Sequence, residues 1–208
     1  MNSILNEDGK SILLAMVKGI QANKAYLGEV DGLIGDGDHG MNMNKGFTLF
    51  ETRFKDQEFS FTEGLEELGT ILFSEIGGSM GPIYGTILMD AASAGETFEE
   101  IGVKELRIML QAGLAGLQEI VDAQVGDKTL VDTLSPAVDM LKMAEDSGLD
   151  MNTALEQMKQ AARAGGILPR IWWQNSDVPA GLANVHAECW MQGQHPAALY
   201  WNLWQMPC

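Results

Sequence analysis

The sequence predicts an all-α protein, folded as a bundle of antiparallel helices, and three observations lead to this fold class. Seven segments repeat their apolar residues at a spacing near 3.6, which is typical of amphipathic helices. Short breaks that contain glycine or aspartate separate the segments. Such short connectors make consecutive helices antiparallel neighbours. Strict alternation of apolar and polar residues, the pattern of a half-buried strand, is scarce.

The predicted helices follow one another along the first 165 residues. In the first, residues 10–30, the apolar side chains between Ile12 and Ile20 form one stripe. The same pattern predicts further helices at about 40–55, 62–76, 83–94, 103–124, 130–147 and 151–164. Pro82 suits the first turn of its helix. Pro136 lies deeper, and we expect it to kink its helix or to stand near the start.

Size and charge exclude several classes of function. The chain has 208 residues and a formal net charge of −16, so it can form one sizeable core. That charge argues against non-specific binding to nucleic acid or to an anionic membrane. No apolar run approaches the roughly 18–20 residues of a membrane span, and the first residues lack the features of a signal peptide. Cys189 and Cys208 show neither metal spacing nor a disulfide framework. We therefore expect a cytoplasmic protein.

Three aspartates crowd the first predicted break, which reads DGLIGDGDHG. Asp31, Asp36 and Asp38 would repel one another in this glycine-rich loop unless a cation joined them. Oxygen ligands alone select a hard cation, Mg²⁺ or Ca²⁺. An EF-hand is excluded, because the twelfth position counted from Asp36 is Phe47 instead of glutamate. The pattern favours Mg²⁺, completed by the phosphates of a substrate, over a merely solvated acidic turn in which aspartate caps the helix.

Polar residues continue into the next helix. His39 and Asn42 stand at its start, where unpaired N–H groups and the positive end of the helix dipole suit a phosphate. The simpler interpretation is that one of them caps the helix. Lys45 follows, and a surface role is the simpler interpretation for it.

Two further breaks resemble ligand-binding turns. The stretch GGSMGPIYG, residues 77–85, places Ser79 before a helix that Pro82 opens. The stretch GDKT, residues 126–129, also precedes a helix, where capping by Asp127 or Thr129 is the alternative. Alternate loops of an antiparallel bundle share one end, so the breaks near 31–39, 77–82 and 125–129 are expected to converge. Three such loops, one of them triply acidic, indicate a nucleotide held through Mg²⁺.

Three motifs, IGDGDHGMNMNKGF, GGSMGPIYG and GDKTLVDTLSP, occur in this order and resemble the motifs of a known family. Over about residues 8–165 the chain resembles the L subunit of dihydroxyacetone kinase and the nucleotide-binding domain of the single-chain ATP-dependent enzymes. The resemblance implies an antiparallel barrel of about eight helices, seven of them clear here, with the nucleotide site at one end. It implies two Mg²⁺ ions on Asp31, Asp36 and Asp38. The residues expected to touch ADP or ATP are His39, Gly40, Met41, Asn42, Ser79, Met80, Thr129 and Leu130.

The resemblance also implies a reaction and its partners. ADP would stay bound as a lasting cofactor, and a phosphohistidine on an M subunit would rephosphorylate it. The phosphoryl group would then pass to dihydroxyacetone held covalently by a K subunit, with no covalent side-chain catalyst in this chain. A homodimer is a further expectation. The alternatives are a nucleotide-binding regulatory protein without transfer activity and an ATP-dependent kinase partner for another triose or tetrose.

The composition changes abruptly after residue 165, which divides the chain into a helical domain, 1–165, and a tail, 166–208. All five tryptophans, both cysteines and four of the six prolines lie in the tail, which has almost no charge and no clear period. The family's closing motifs are missing from it. Shifted by two bases, the codons of the run from Trp172 to Gln174 must read Val-Ala, and allowed codons elsewhere spell GRSSRLGERSRGVLDAGA, which resembles those motifs.

The hypothesis is therefore an insertion or deletion near codons 165–168 that replaces the final helix and lid by an out-of-frame tail. The competing interpretation is a genuine tryptophan patch that binds a partner.

Overall fold

The computed structural model describes residues 3–32, 35–127 and 129–167, and over these it confirms the all-α fold. Two short antiparallel strands, β1 and β2, accompany the helices. The elements of the described residues are β1 Ile4–Leu5, α1 Lys10–Asp31, α2 His39–Phe54, α3 Phe61–Glu75, α4 Met80–Gly95, β2 Glu100–Ile101, α5 Val103–Ile120, α6 Val131–Asp146 and α7 Met151–Ile167. The predicted eighth helix and the tail from residue 168 lie outside the described residues.

The predicted helices agree with these bounds to within one residue except at three ends, one of which is the end of α7 at Ile167, three residues beyond the expected 164. Helix α4 begins at Met80, three residues earlier than expected, so Pro82 is its third residue and still lies in the first turn. Helix α5 stops at Ile120 instead of residue 124, and residues 121–124 belong to the loop that follows. Pro136 is the sixth residue of α6. Because proline has no N–H, the carbonyl of Asp132 lacks its usual donor within the helix.

Consecutive helices pack against one another in antiparallel fashion around a common apolar core. At the α1–α2 contact, a Cβ on Gly40 would overlap the carbonyl oxygen of Lys24 and lie 2.7 Å from the backbone nitrogen of Gly28. At the α5–α6 contact, Arg107 forms an ion pair with Glu145. The largest side chains that the core encloses completely include Leu13, Phe50, Phe61, Leu68, Met109 and Leu117. Each contributes about 1.5–3 kcal/mol through burial.

One end of the bundle, named the strand end here, consists of residues 3–9, 55–60, 96–102 and 147–150. The two strands lie there, and so does Asn6, which is only 8% exposed. Its Nδ2 donates to Thr62 Oγ1 at 3.0 Å and to the Phe98 carbonyl at 2.9 Å, and its Oδ1 accepts the Thr62 N–H at 3.0 Å. These bonds tie the N-terminal segment to α3 and to the α4–α5 connection.

The opposite end is named the carboxylate end. It carries the α1–α2 loop, the α3–α4 loop and the α5–α6 loop, because the helices that these loops join are antiparallel. The strong predicted motifs all lie at this end. Among the described residues, no helix combines the length and apolar character needed to cross a membrane.

Candidate functional site

The α1–α2 loop brings its three aspartates together. Asp31 is the last residue of α1, Asp36 lies in the loop, and Asp38 precedes α2. One carboxylate oxygen from each lies within 4.8 Å of the other two. Asp31 and Asp38 are half-buried and Asp36 is exposed. The predicted convergence of the three carboxylates is therefore present in the fold.

Glycines shape the loop around these carboxylates. Gly37 has a φ of 78°, in the left-handed region that side chains rarely adopt. The Gly35 N–H donates to the Asp31 carbonyl at 2.6 Å, and a Cβ at Gly35 would stand 2.6 Å from Asp31 Oδ1. A side chain at Gly35 would push against the Asp31 carboxylate, and one at Gly37 would strain the backbone, so the sequence needs glycine at both positions.

The start of α2 holds the carboxylates in place through hydrogen bonds. The backbone N–H of His39 donates to Asp31 Oδ2 at 3.3 Å, and the N–H of Asp38 donates to Asp36 Oδ1 at 3.2 Å. The side-chain amide of Asn42 donates to Asp38 Oδ2 at 2.6 Å. Helix α2 begins at His39 with Asp38 as its N-cap residue, so neither His39 nor Asn42 caps the helix. Asn42 instead orients a carboxylate.

The donor set of this cluster fits a hard divalent cation. All three ligand groups are carboxylates, which Mg²⁺ prefers. No lysine or arginine among the described residues forms an ion pair with any of them. Lys45, which follows the acidic loop in sequence, donates instead to the Glu75 carbonyl at 2.9 Å, at the end of α3. The three negative charges thus lack a protein counter-charge in the described part of the chain.

The ring of His39 connects this loop with α4. It meets the ring of Tyr84 edge to face, with the centroids 6.0 Å apart. Burial lowers the pKa of His39, and the negative charges of Asp31 and Asp38 oppose that shift only in part. The imidazole is therefore neutral at pH 7, so it can donate from one nitrogen and accept at the other.

The α3–α4 loop offers open space beside a helix start. Ser79 is the N-cap residue of α4, and its side chain makes no capping hydrogen bond. Gly78 has a φ of 74°, and a Cβ on Gly77 or Gly78 would meet no atom within 4 Å. Met80, the first residue of α4, is partly buried against the core. A ligand could reach the backbone of this loop without meeting side chains.

The α5–α6 loop is organised by Asp132, which is 2% exposed. Its Oδ1 accepts the Gly126 N–H at 2.6 Å, and its Oδ2 accepts the Thr129 N–H at 2.8 Å. Thr129 Oγ1 accepts the Val131 N–H at 3.2 Å, and Asp127 accepts the Gln124 N–H at 2.9 Å. Neither Asp127 nor Thr129 is the N-cap residue of α6. That position belongs to Leu130, which is partly buried.

The remaining predicted nucleotide contacts differ in exposure. Met41 is 65% exposed and is available to a ligand. Gly40 is buried, because the backbone of α1 lies directly against it. That contact explains the glycine through packing, and contact of Gly40 with a nucleotide stays a prediction, as it does for Thr129 and Leu130.

Residues 33–166 match the DAK2 domain, a family found by comparison with known protein families. The chain belongs to the DAK2 domain family. The match includes the acidic loop from Asp36 onward, the α3–α4 loop and the α5–α6 loop, and it ends where the composition changes.

Curated relatives of the chain include ADP-binding subunits of dihydroxyacetone kinases. The chain is 31% identical over 148 residues to the ADP-binding subunit DhaL of PEP-dependent dihydroxyacetone kinase 1 from Listeria innocua, covering 71% of this chain and 74% of the relative. It is 34% identical over 142 residues to the corresponding subunit from Escherichia coli, covering 67% of each chain. The names of both relatives state that they bind ADP.

Solved structures show the same fold. The native dihydroxyacetone kinase of C. freundii aligns with a TM-score of 0.71 and 19% identity, covering 98% of this chain. A structure of that kinase in complex with AMP-PNP and Mg²⁺ aligns with a TM-score of 0.68 and 20% identity. The chain spans about a third of these longer proteins, 35% and 34% respectively.

Two residues of this end were not predicted from the sequence. Tyr84 lies within the second motif but looked like an ordinary helix residue. Asp132 carried a signal: the pattern Thr129-x-x-Asp132 ahead of an apolar run is that of a capping box. In the structure the aspartate makes its half of that motif, by accepting the Thr129 N–H.

Proposed function

We propose that the chain is the ADP- and Mg²⁺-binding subunit of a phosphoenolpyruvate-dependent dihydroxyacetone kinase. The observation that carries the proposal is the cluster of Asp31, Asp36 and Asp38, whose oxygen atoms converge within 4.8 Å and form no ion pair with a lysine or arginine of the described residues. Membership of the DAK2 family and similarity to ADP-binding subunits support ADP as the proposed ligand. The proposal includes a cytoplasmic location.

The chain's own residues would divide the work at the carboxylate end. Asp31, Asp36 and Asp38 would hold two Mg²⁺ ions, which supply charge neutralisation between carboxylates and phosphates. Asn42 keeps Asp38 oriented through its 2.6 Å hydrogen bond. The uncapped start of α4 at Ser79 presents N–H groups toward a phosphate.

The other nucleotide contacts in the proposal are His39, Gly40, Met41, Asn42, Met80, Thr129 and Leu130. The neutral ring of His39 can exchange a hydrogen bond with a phosphate without adding a charge. Phosphoryl transfer depends on positioning and electrostatic stabilisation more than on a side-chain nucleophile, so no residue of this chain needs to form a covalent intermediate.

Two partner subunits complete the proposed reaction. An M subunit would donate a phosphoryl group from its phosphohistidine to the bound ADP, and a K subunit would present dihydroxyacetone as the acceptor. The names of the relatives, which describe a PEP-dependent kinase with a separate ADP-binding subunit, support this arrangement. A homodimer of this chain would be compatible with it.

Calorimetric titration with ADP, in the presence and absence of Mg²⁺, tests the binding half of the proposal. We expect tight binding only with Mg²⁺. Asp36→Asn removes one carboxylate charge from an exposed loop position and should weaken ADP binding by roughly 100-fold or more if the cation bridges protein and phosphates. The same substitution should leave the unfolding temperature of the ligand-free protein unchanged or slightly higher, because it relieves repulsion.

Asp146→Asn is the matched control. Asp146 is also exposed and acidic but lies at the end of α6, near the strand end. Its substitution should leave ADP affinity unchanged. Equal affinity of Asp36→Asn and the unmodified chain, or ADP binding that ignores Mg²⁺, would contradict the proposed site.

Reconstitution tests the transfer half. The chain is mixed with K and M subunits, phosphoenolpyruvate and the general phosphotransferase proteins, and dihydroxyacetone phosphate is measured over time. Continuous production supports the kinase subunit. Tight ADP binding without turnover supports the regulatory alternative, and activity with ATP in place of the M subunit supports an ATP-dependent partner for a triose or tetrose.

For the tail we propose a shifted reading frame. The family match ends at residue 166, next to the change in composition, which supports this division of the chain. Resequencing the gene across codons 160–175 tests it, and an unbroken frame in independent isolates would refute it. If the shift is real, a chain with the restored frame should unfold at a higher temperature and bind ADP more tightly than the present one.

A further inference from the structure

A buried carboxylate supports the α5–α6 loop. Asp132 is 2% exposed and accepts two backbone N–H groups of that loop, from Gly126 at 2.6 Å and from Thr129 at 2.8 Å. No lysine or arginine in the described ranges forms an ion pair with it. A buried charge is costly unless hydrogen bonds satisfy it. The two N–H groups are therefore what permits Asp132 to stay buried, and the loop conformation follows from them.

The neighbouring backbone keeps Asp132 from moving. A Cβ on Gly165 of α7 would overlap the carbonyl oxygen of Asp132 and would approach the ring of Pro136 to 2.7 Å. Helix α7 therefore lies directly over the first turn of α6. On the loop side, Gly126 has a φ of 109°, which turns its N–H toward the carboxylate. Backbone geometry thus fixes both the turn of α6 that carries Asp132 and the loop residue Gly126 that donates to it.

We propose that Asp132 is a positioning residue for the nucleotide. It holds the α5–α6 loop in its binding conformation before the ligand arrives, so that Thr129 and Leu130 already face the nucleotide. This inference rests on the proposed function for the identity of the ligand. It adds a residue that touches neither metal nor nucleotide and acts only through the loop.

Hydrogen exchange followed by NMR tests the pre-formed loop in the unmodified chain. We expect the amides of Gly126 and Thr129 to be protected without any nucleotide, although Gly126 lies in an exposed turn. Addition of ADP and Mg²⁺ should add little to that protection. If the two amides exchange at the rate of an unstructured peptide until ADP is added, the ligand organises the loop and the inference is overturned.

The substitution Asp132→Asn tests the consequence for binding. Asparagine keeps the shape and one acceptor oxygen, but its NH₂ group then faces a backbone N–H. Losing a hydrogen bond to a charged acceptor should weaken ADP binding by roughly 10-fold or more, while the protection of the Gly126 and Thr129 amides falls. Affinity equal to that of the unmodified chain would overturn the inference. If the variant does not fold, the exchange experiment on the unmodified chain decides.

Thr133→Val is the control for a buried substitution at the same turn. Thr133 is fully buried, and its hydroxyl finds no hydrogen-bond partner among the residues that the structure describes. Its replacement should leave ADP affinity and loop protection unchanged, and a loss equal to that of Asp132→Asn would overturn the specific role of Asp132. The outcomes separate this inference from the proposed function. A chain that binds no ADP in the presence of Mg²⁺ refutes the proposed function. The exchange rates of the Gly126 and Thr129 amides still report whether the loop is pre-formed.

Discussion

Helices that begin at the strand end and helices that begin at the carboxylate end differ in the side-chain capping of their first turns. At the strand end, α3 has a complete capping box, in which Ser60 Oγ accepts the Glu63 N–H at 3.2 Å and Glu63 accepts the Ser60 N–H at 2.7 Å. Before α5, Glu105 accepts the Gly102 N–H at 3.1 Å, and Asp150 accepts N–H groups in the first turn of α7. The N-cap residues of α1 and α5 make no side-chain capping bond, so α3 and α7 are the helices that carry such a cap at this end. At the carboxylate end, none of the N-cap residues of α2, α4 and α6 makes a side-chain capping bond, although Asp31 accepts the His39 N–H and Thr129 accepts the Val131 N–H.

This difference shows how local stability and ligand binding are separated within one fold. A cap satisfies first-turn N–H groups that would otherwise face water or a ligand. The strand end uses such caps together with the Asn6 hydrogen bonds and the ring contacts among Phe50, Phe54 and Phe59. At the carboxylate end the N-cap residue of α4 leaves the helix start open, and three neighbouring negative charges are tolerated. We therefore expect substitutions at the strand end to change stability, and those at the carboxylate end to change binding.

The largest expected effect on stability is that of Asn6→Ala. The substitution leaves the Thr62 N–H and the Phe98 carbonyl without their buried partner, which should lower the free energy of unfolding by about 2–4 kcal/mol. Urea unfolding measures the loss. Asn23→Ala, which removes a single bond to the Gly19 carbonyl within α1, should be nearly neutral. Well below the unfolding temperature, ADP affinity of Asn6→Ala should stay within about 2-fold. A larger loss would show that the two ends are coupled.

The next largest effect on stability is expected from alanine substitution of Ser60, compared with the same substitution of Ser79. Ser60→Ala removes the cap of α3 and should cost about 1 kcal/mol of unfolding free energy, with ADP affinity unchanged. Ser79→Ala makes the same chemical change at the start of α4, where no capping bond exists, and should leave stability nearly unchanged while weakening ADP binding. Thermal unfolding and calorimetry on both variants measure the contrast. Equal losses of stability would contradict the distinction between the two ends.

A smaller gain in stability is expected for Gly77→Ala. A Cβ at Gly77 meets no atom, and its backbone lies outside the left-handed region, so alanine should stabilise the ligand-free protein by about 0.5 kcal/mol through the unfolded state. The methyl group should also hinder a phosphate that approaches this backbone, and ADP should bind more weakly. Gly78→Ala is the comparison, because its φ of 74° makes alanine unfavourable there by about 1 kcal/mol. Tighter ADP binding by Gly77→Ala would argue against phosphate contact at this loop.

The smallest effect concerns pH. Burial raises the pKa of Asp90, and the charge of Glu119 on α5 adds to the shift. The folded state therefore binds this proton more tightly than the unfolded state does. The stability associated with the group is fully present below the ordinary aspartate pKa of about 4 and is lost as the pH rises through the raised pKa.

Asp90→Asn should thus be slightly more stable than the unmodified chain at pH 7, by at most about 0.5 kcal/mol once solvent screening is allowed for. The difference should vanish as the pH falls below 4, the ordinary aspartate range. Thermal unfolding between neutral and acidic pH measures it. A variant that is less stable than the unmodified chain at neutral pH would contradict the assigned sign.

The sequence predicted the helices well because their amphipathic period reports directly on which face is buried. It also predicted the clustering of Asp31, Asp36 and Asp38, since all three lie within one short glycine-rich loop. It missed β1 and β2, whose two-residue length leaves no period to detect. It missed the role of Asn6 as well, because the partners Thr62 and Phe98 are distant in sequence and one of them is a backbone carbonyl. Contacts of that kind depend on the packed fold.

The backbone contact between Gly40 and Lys24 has a consequence for ion choice. Because no side chain separates α1 from α2 at this point, the spacing of the two backbones near Asp31 and Asp38 is set by main-chain contact, and only the carboxylate rotamers remain to adjust the site. A site with little room to adjust discriminates by ionic radius, and oxygen ligands lie roughly 2.1 Å from Mg²⁺ but about 2.4 Å from Ca²⁺. Larger cations should therefore compete poorly for this corner, even though its charge alone would attract them.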